Sequence, residues 1–384
     1  MIPLVSQSEI LKLASDLIKI PTVNPPGRVK EAIDYIAEYL EPFGLKVTRV
    51  EGYSGKPNLV VEYGQGQRTL LWNTHIDVVP PGDEPWEFDP FRGQVSDGYL
   101  WGRGASDTKG AVAAMLGGLL ALVRSEVKLN GSLKLTIVSD EENLGPAGTR
   151  YLAEKGWLKA DAAIVGEPTN LTLEIVERGL IWFDLISRGQ VAHSGRPHLG
   201  VNALENLIDL MKYFRDDYSR LIRQREHPWV SPPSLSLTMI QGGRKINLIP
   251  DVCTLSCDRR VIPGEDLTQV TAELRGIIER FSDERRRFEL DLKKSVVPIE
   301  VSPNEAVVAE MKKAVEEVTG RKAEMRGKDA ATDAYIIRGE LGIPTVIFGP
   351  GDSKLAHKAN EMVLVENMVL AAQTLALTAR KMLG

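Results

Sequence analysis

Three apolar runs in the first half of the chain stop on the same kinds of residue. TLLWNTHI ends at His75 and Ile76, with Asp77 next; SLKLTIVSDEE ends on Asp140, Glu141 and Glu142; DAAIVGEP ends on Glu167 and a proline. Two more strand-like runs, LKVTRVEG and NLVVEYG, precede them. Helical patterns lie between and around: SEILKLASDLIKI, VKEAIDYIAEYLEPFG closing at Gly44, SDTKGAVAAMLGGLLALVRSE and AGTRYLAEKGW. Alternating helices and buried strands restrict a chain to a mixed or mostly parallel sheet covered on both faces. Ligands of such sheets bind beyond the carboxyl ends of the strands. The acids and histidines collect there.

The pattern changes near Gly179. LIWFDLISRG alternates as a strand with one wet face does, and a long helix follows (NALENLIDLMKYFRDDYSRLI). Two alternating strands (SLSLTMIQGG, VCTLSCDRRV), a helix (DLTQVTAELRGIIERF) and a strand (RRFELDLKKSV) complete a β-α-β-β-α-β unit of ferredoxin-like order. From about Ser302 the first style returns with EAVVAEMKKAVEEVTG, TDAYIIRGELG, PTVIFGPG and a last helix. A chain of 384 residues, 43% of them hydrophobic, exceeds one comfortable core. The expected division is an α/β domain over 1–177 and 295–384, with a small α+β domain inserted over 178–294.

Charge excludes several classes. Charged residues make up 26% and the net charge is −5, which offers no attraction to nucleic acid or an anionic membrane. Arg285-Arg286-Arg287 is offset by Asp283, Glu284 and Glu289 and reads as a solvated helix end. MIPLVSQSEILKLASDLIKI lacks the basic start of a signal peptide and reads as an amphipathic helix. No run reaches the ~20 apolar residues of a membrane span; Ala111–Val123 comes nearest. A soluble, cytoplasmic protein is expected. Cys253 and Cys257 stand four apart on a strand, too far for a disulfide, and read as reduced half-buried thiols.

Five segments carry the chemistry: THID (His75, Asp77), WGRGASDTKG (Asp107), VSDEEN (Asp140, Glu141, Glu142), IVGEP (Glu167) and GDSKLAHKANE (His357). Two histidines with several carboxylates and no thiolate suit zinc, manganese or cobalt. A pair of ions needs a bridging carboxylate, and Asp107 on its glycine-flanked turn is the natural bridge. Asp77 points the same way as His75 on an extended chain, so it can accept the imidazole's other N–H. Of Glu141 and Glu142, one can ligate while the other takes a proton from water. Singly each segment is weak: an HxD pair is usually incidental, a double Glu usually a solvated helix start. Their ordered set is specific.

That set resembles the dinuclear zinc aminohydrolases that include acetylornithine deacetylase, succinyl-diaminopimelate desuccinylase, aminoacylase and related carboxypeptidases. The likeness runs through HIDVVPPGD, LWGRGASDTKG, SDEEN, GEPT, GQVAHSGRPHLGVNA, NLIPD and FGPGDSKLAHKANE, nearly the whole chain. It implies a zinc-peptidase-like catalytic domain with an inserted lid that makes a homodimer. It implies that His75, Asp107 and Glu167 hold one zinc, and that Asp107, Glu142 and His357 hold a second. Cobalt or manganese can substitute. Glu141 would be the general base acting on a bridging water, Asp77 would orient His75, and the Asp107–Thr108 peptide would be cis. His193 would stabilise the oxyanion, often from the partner subunit; on its own sequence it reads as a loop histidine. By the same resemblance Arg259, Asn247, Thr332 and Gly351 contact substrate. For Arg259 a strand-edge salt bridge stands as the alternative. His198 and His227 read as surface residues.

The expected activity is hydrolysis of the amide bond of a small N-acyl amino acid. FGP, HKANE and the Ala331–Asp333 stretch lean toward the desuccinylase side. A metallo-carboxypeptidase or dipeptidase would share every ligand. A non-catalytic binding protein on this scaffold is the rival from another class. No G-x-S-x-G elbow supports a metal-independent hydrolase.

Overall fold

Strand parity and helix spacing sort the chain into two units in a computed structural model that describes residues 4–125 and 128–384. The large unit takes the chain through Ile175, then Val301–Arg326 and Thr332–Gly384. The small unit takes Val176–Glu300 and a short return, Gly327–Ala331.

In the large unit the sheet runs Lys46–Glu51, Pro57–Gly64, Ser132–Val138, Thr69–His75, Ala162–Gly166, Thr345–Ile347 and Leu173–Glu177, whose end leads into the small unit. The four central strands are parallel, and antiparallel strands flank them. Register pairs His75 with Val138, Thr74 with Gly166 and Ile347 with Val165. The parallel strands therefore end level, and their following residues share one rim. Leu173–Glu177 is buried throughout. Its short unbroken run, close behind another, carries no periodic signal of its own.

The helix Gly110–Arg124 is buried along nearly its whole length. Glycines let neighbours lie close on it: a Cβ at Gly117 would fall 2.5 Å from Ile10, and one at Gly118 2.8 Å from the Ala372 carbonyl. Gln7–Ile18 and Val365–Leu383 supply those contacts. The segment 105–124 has the length and apolarity of a membrane span, but 94% of its apolar 18-residue stretch is buried inside the protein, as in a core helix. The helix was expected from Ser106; it starts at Gly110 because Asp107 (φ −125°, ψ 88°) and Thr108 are not helical. The expected last residue, Glu126, and Met1–Pro3 of the N-terminal helix lie outside the described residues.

In the small unit the antiparallel sheet runs Ser234–Gly242, Val252–Val261, Gly179–Arg188, Arg287–Val296. The helices Ala203–Tyr213 and Leu267–Phe281 cover one face, giving the ferredoxin-like order. Val252–Val261 alternates half-exposed and buried without a break. Cys253 and Cys257 fall on the core side as free, buried thiols. Arg259 falls there too, which decides its role below.

Candidate active site

Four parallel strands deliver the site. His75 closes Thr69–His75, the turn 139–142 follows Ser132–Val138, and Glu167 follows Ala162–Gly166. The loop after Thr345–Ile347 leads to His357, and Asp107 comes from the turn before Gly110. These groups converge. His75 Nε2 lies 3.2 Å from Asp107 Oδ1, 3.6 Å from Glu167 Oε1 and 3.8 Å from Glu141 Oε2. His357 Nε2 lies 3.4 Å from Asp107 Oδ2 and 3.0 Å from Glu142 Oε2. The two oxygens of Asp107 thus face two different histidines.

A metal fits these residues. Ligand atoms of His75, Glu141 and Glu167 lie within 4.8 Å of one another, and so do those of His75, Asp107 and Glu142. Glu142 Oε1 is buried with no hydrogen-bond partner among the described residues. A buried anionic oxygen in that state calls for a cation. Two imidazoles and four carboxylates without a thiolate are a zinc, cobalt or manganese donor set.

The protonation of the metal-free cluster shows the same demand. Burial alone would lower His75, yet Glu141, Asp107 and Asp77 raise it well above the ordinary histidine value. His357 is raised to about 10 by its hydrogen bonds to Asp107 and Glu142. Burial pushes Asp107 up, but His357 and His75 outweigh it and hold the carboxyl below its usual range. Glu141 is driven well above the usual carboxylate value, first by burial, then by Glu167, Asp333 and Glu142 against His75. Protons on the histidines balance the carboxylates where metal would.

Asp77 does more than its spacing shows. His75 Nδ1 sits 3.0 Å from the Asp77 backbone carbonyl and 3.5 Å from its carboxylate. The carboxylate's closer partners are the N–H groups of Glu141 and Glu142, each at 3.2 Å, and the Asn24 amide at 2.8 Å. It holds the turn that carries both glutamates. The Asp107–Thr108 peptide is cis.

Glu361 is a contributor that pattern reading missed. Its Oε1 accepts the N–H groups of Gly104, Ser106 and Asp107, and its Oε2 pairs with buried Arg103 at 2.5 Å. The only sequence signal was an acid four residues after His357. Asp333 is another. It is buried, accepts from Thr149 Oγ1 at 2.6 Å, and is raised to about 6, mainly by burial.

The expected substrate contacts fare differently. Thr332 is buried, and its Oγ1 accepts the Ala334 N–H at 3.2 Å. Gly351 is buried against the Asp107 turn: a Cβ there would fall 2.3 Å from the Ser106 carbonyl. Asn247 is an exposed small-unit residue whose carbonyl accepts the Ser194 N–H. Arg259 corrects the expectation of a substrate-facing guanidinium. It is fully buried, pairs with Glu265 at 2.5 Å and donates to Tyr218 at 3.3 Å, all within the small unit. The salt-bridge alternative describes it. Its neighbour Arg260, on the opposite face of the strand, is partly exposed beside Asp258. His193 is exposed in the small unit; its Nδ1 accepts the Gly195 N–H at 3.0 Å. His198 is exposed, but His227 is not the surface residue expected: its side chain is 10% exposed and accepts the Trp229 N–H.

The sequence profile of peptidase family M20/M25/M40 matches residues 71–381. The chain belongs to that family. Members act on amide bonds with metal, and this protein is a metal-dependent amide hydrolase. It is 32% identical over 375 residues to a succinyl-diaminopimelate desuccinylase of Methylobacterium radiotolerans, covering 93% of each chain. It is 29% identical over 395 residues to an N-formyl-4-amino-5-aminomethyl-2-methylpyrimidine deformylase of Bacillus subtilis, covering 94% of this chain and 92% of that one. Among solved structures it is similar to the M20 metallo-carboxypeptidase Sso-CP2 of Sulfolobus solfataricus (TM-score 0.81, 20% identity, 97% of this chain and 98% of that one), a likeness of fold.

Proposed function

We propose that this M20 protein removes the acyl group from a small N-acyl amino acid, with two zinc ions as its native metals. The observation that carries the two-metal reading is Asp107, whose oxygens face His75 and His357. His75, Asp107 and Glu167 would hold one ion, and Asp107, Glu142 and His357 the other. When bound, the ions supply Lewis acidity that makes water a nucleophile near neutral pH. Glu141 takes the proton of the attacking water on its carboxylate and gives it to the leaving amine nitrogen. Burial raises its carboxyl well above the usual carboxylate range, which suits it to accept and pass on a proton. Asp77 fixes Glu141 through its N–H. His193 meets the developing oxyanion: with Nδ1 accepting from Gly195, its neutral ring carries the proton on Nε2 and presents a donor. Thr332, Asn247 and Gly351 remain proposed substrate contacts, and Arg260 replaces Arg259 as the guanidinium on the strand's open face.

Acyl removal is favoured over peptide cleavage because the two relatives above are named for removing a succinyl and a formyl group. A carboxypeptidase or dipeptidase is the second reading, on the fold likeness alone. We further propose a cytoplasmic homodimer. Ser234–Gly242 is the outer strand of its sheet and exposes Met239 (59%) and Ile240 (51%). The helix Ala203–Tyr213 exposes Leu204 and Ile208 one turn apart. An apolar, unpaired edge is a template for a second copy. The free thiols fit a reducing compartment.

The test is a panel on zinc- or cobalt-loaded protein: acetylornithine, succinyl-diaminopimelate, dipeptides and blocked amino acids. Turnover of an acyl substrate is expected. Exclusive peptide cleavage favours the peptidase reading, and no turnover across the panel favours the binding-protein rival.

A further inference from the structure

No ligand role uses Asn24, yet it is 2% exposed and both polar atoms of its side chain are engaged. Nδ2 donates to Asp77 Oδ2 at 2.8 Å and to Asp140 Oδ1 at 2.9 Å. Oδ1 accepts from Lys56 Nζ at 3.2 Å, and the same ammonium reaches Asp140 Oδ1 at 2.6 Å. These partners fix the amide's orientation, since carboxylates need donors and an ammonium needs an acceptor. The backbone is held as well. Asn24 N–H donates to the Val78 carbonyl at 2.9 Å, and Thr22 Oγ1 donates to the Ile76 carbonyl at 2.6 Å. The loop is therefore clipped along the segment that leaves His75. At Gly27 (φ +76°) a Cβ would fall 2.7 Å from Lys56 Cε, so the loop closes tightly over the lysine.

The two carboxylates joined by Asn24 grip one turn. Asp77 accepts the N–H groups of Glu141 and Glu142. Asp140 accepts the Ala147 N–H at 3.2 Å, and its carbonyl accepts the Gly145 N–H at 2.8 Å. A Cβ at Gly145 would fall 1.8 Å from Asp140 Oδ2, so the turn wraps onto this carboxylate. Two buried like charges side by side repel each other strongly at low dielectric. An amide that donates to both, with an ammonium beside it, offsets that repulsion and holds the two carboxylates at a fixed separation.

We infer that Asn24 is a positioning residue for the reaction: it ties Asp77 to Asp140, with Lys56 as counter-charge, and so sets where the Glu141–Glu142 turn stands. The inference rests on the two-metal amidase reading proposed above.

Four variants test it in the metal-loaded chain: Asn24→Ala, Asn24→Asp, Lys56→Met and the double variant N24D/D140N. The readouts are kcat and KM on the best acyl substrate, zinc stoichiometry, and the visible absorption of the cobalt-substituted protein. Asn24→Ala should lower kcat by about 10–100-fold, the usual effect of losing a ligand's supporting partner. KM should change little, zinc stay near two per chain, and the cobalt spectrum shift. Asn24→Asp, which puts three carboxylates around one ammonium, should be worse. N24D/D140N restores the charge count and should recover part of the loss, which a purely structural role would not give. Lys56→Met should lower kcat in the same direction, and it decides the matter if Asn24→Ala does not fold. The inference is overturned if Asn24→Ala and Asn24→Asp keep kcat within about twofold of the parent, if the double variant is no better than Asn24→Asp, or if Lys56→Met leaves kcat unchanged. A parent that takes up no metal defeats the two-metal reading and this inference with it. An active, loaded parent with unaffected variants defeats the inference alone.

Discussion

Glu361 accepts the backbone N–H of Asp107 at 2.9 Å, so the Asp107 carboxylate is aimed by a second carboxylate lying behind its own main chain. With the N–H groups of Gly104 and Ser106, Glu361 completes a three-donor cradle around the turn. Glu361→Ala leaves the Arg103 guanidinium, 1% exposed, without its ion partner. Breaking a buried pair in this way costs about 3–5 kcal/mol, and metal affinity should fall by about 10–100-fold as the turn loosens. Urea unfolding and competition with a chelator measure the two effects. Unchanged metal affinity would show that the turn keeps its shape without Glu361.

Glu141→Gln should abolish turnover while the protein still binds close to two zinc ions. Metal analysis beside the activity assay checks this. A drop to one zinc would make Glu141 a ligand and exchange its role with Glu142.

Metal uptake at pH 7–8 should release protons. His357, raised to about 10, is protonated in the metal-free chain at that pH, and ligation requires it neutral; His75 is shifted in the same direction by Glu141, Asp107 and Asp77. Apparent affinity should therefore rise with pH until about 10. The stability sign is opposite for the metal-free chain. A histidine raised on folding stabilises fully below about 6.5, and that contribution is lost as pH rises through 10. Titration calorimetry in buffers of different ionisation enthalpy counts the protons; uptake without release contradicts the assignment.

His193→Ala should cut kcat by about 100-fold or more, the scale of losing one oxyanion donor, while zinc stoichiometry and affinity stay as in the parent. Steady-state kinetics with metal analysis checks this. An unaffected rate would make His193 an ordinary loop histidine.

Much of the architecture was legible because burial leaves a period. LLWNTHI and AAIVG are buried runs that lead directly to ligand-type residues, and VCTLSCDRRV alternates residue by residue. That last strand also shows the limit. A shift of one residue moves a side chain to the other face, so Arg259 was assigned to substrate although its parity sends it inward with Cys253 and Cys257. The ordered acids and histidines announced a metal cluster, because donor type and spacing are written locally. The supports were not legible. Asn24 lies 53 residues from Asp77 and 116 from Asp140, and Glu361 lies 254 from Asp107. Only the folded sheet brings such partners within reach, so no local pattern could reveal them.

The large unit draws on both sides of the insertion, and the Asp107 turn is cradled by a residue near position 360. During synthesis on the ribosome, His75, Asp107, Glu142 and Glu167 emerge well before His357 and Glu361. A nascent chain can display most of the proposed ligands but cannot cradle the Asp107 turn or offer the second imidazole until residue 361 has been made. If these residues hold the metals as proposed, activity waits on near-completion of translation, and fragments released early would carry the acids without the second imidazole.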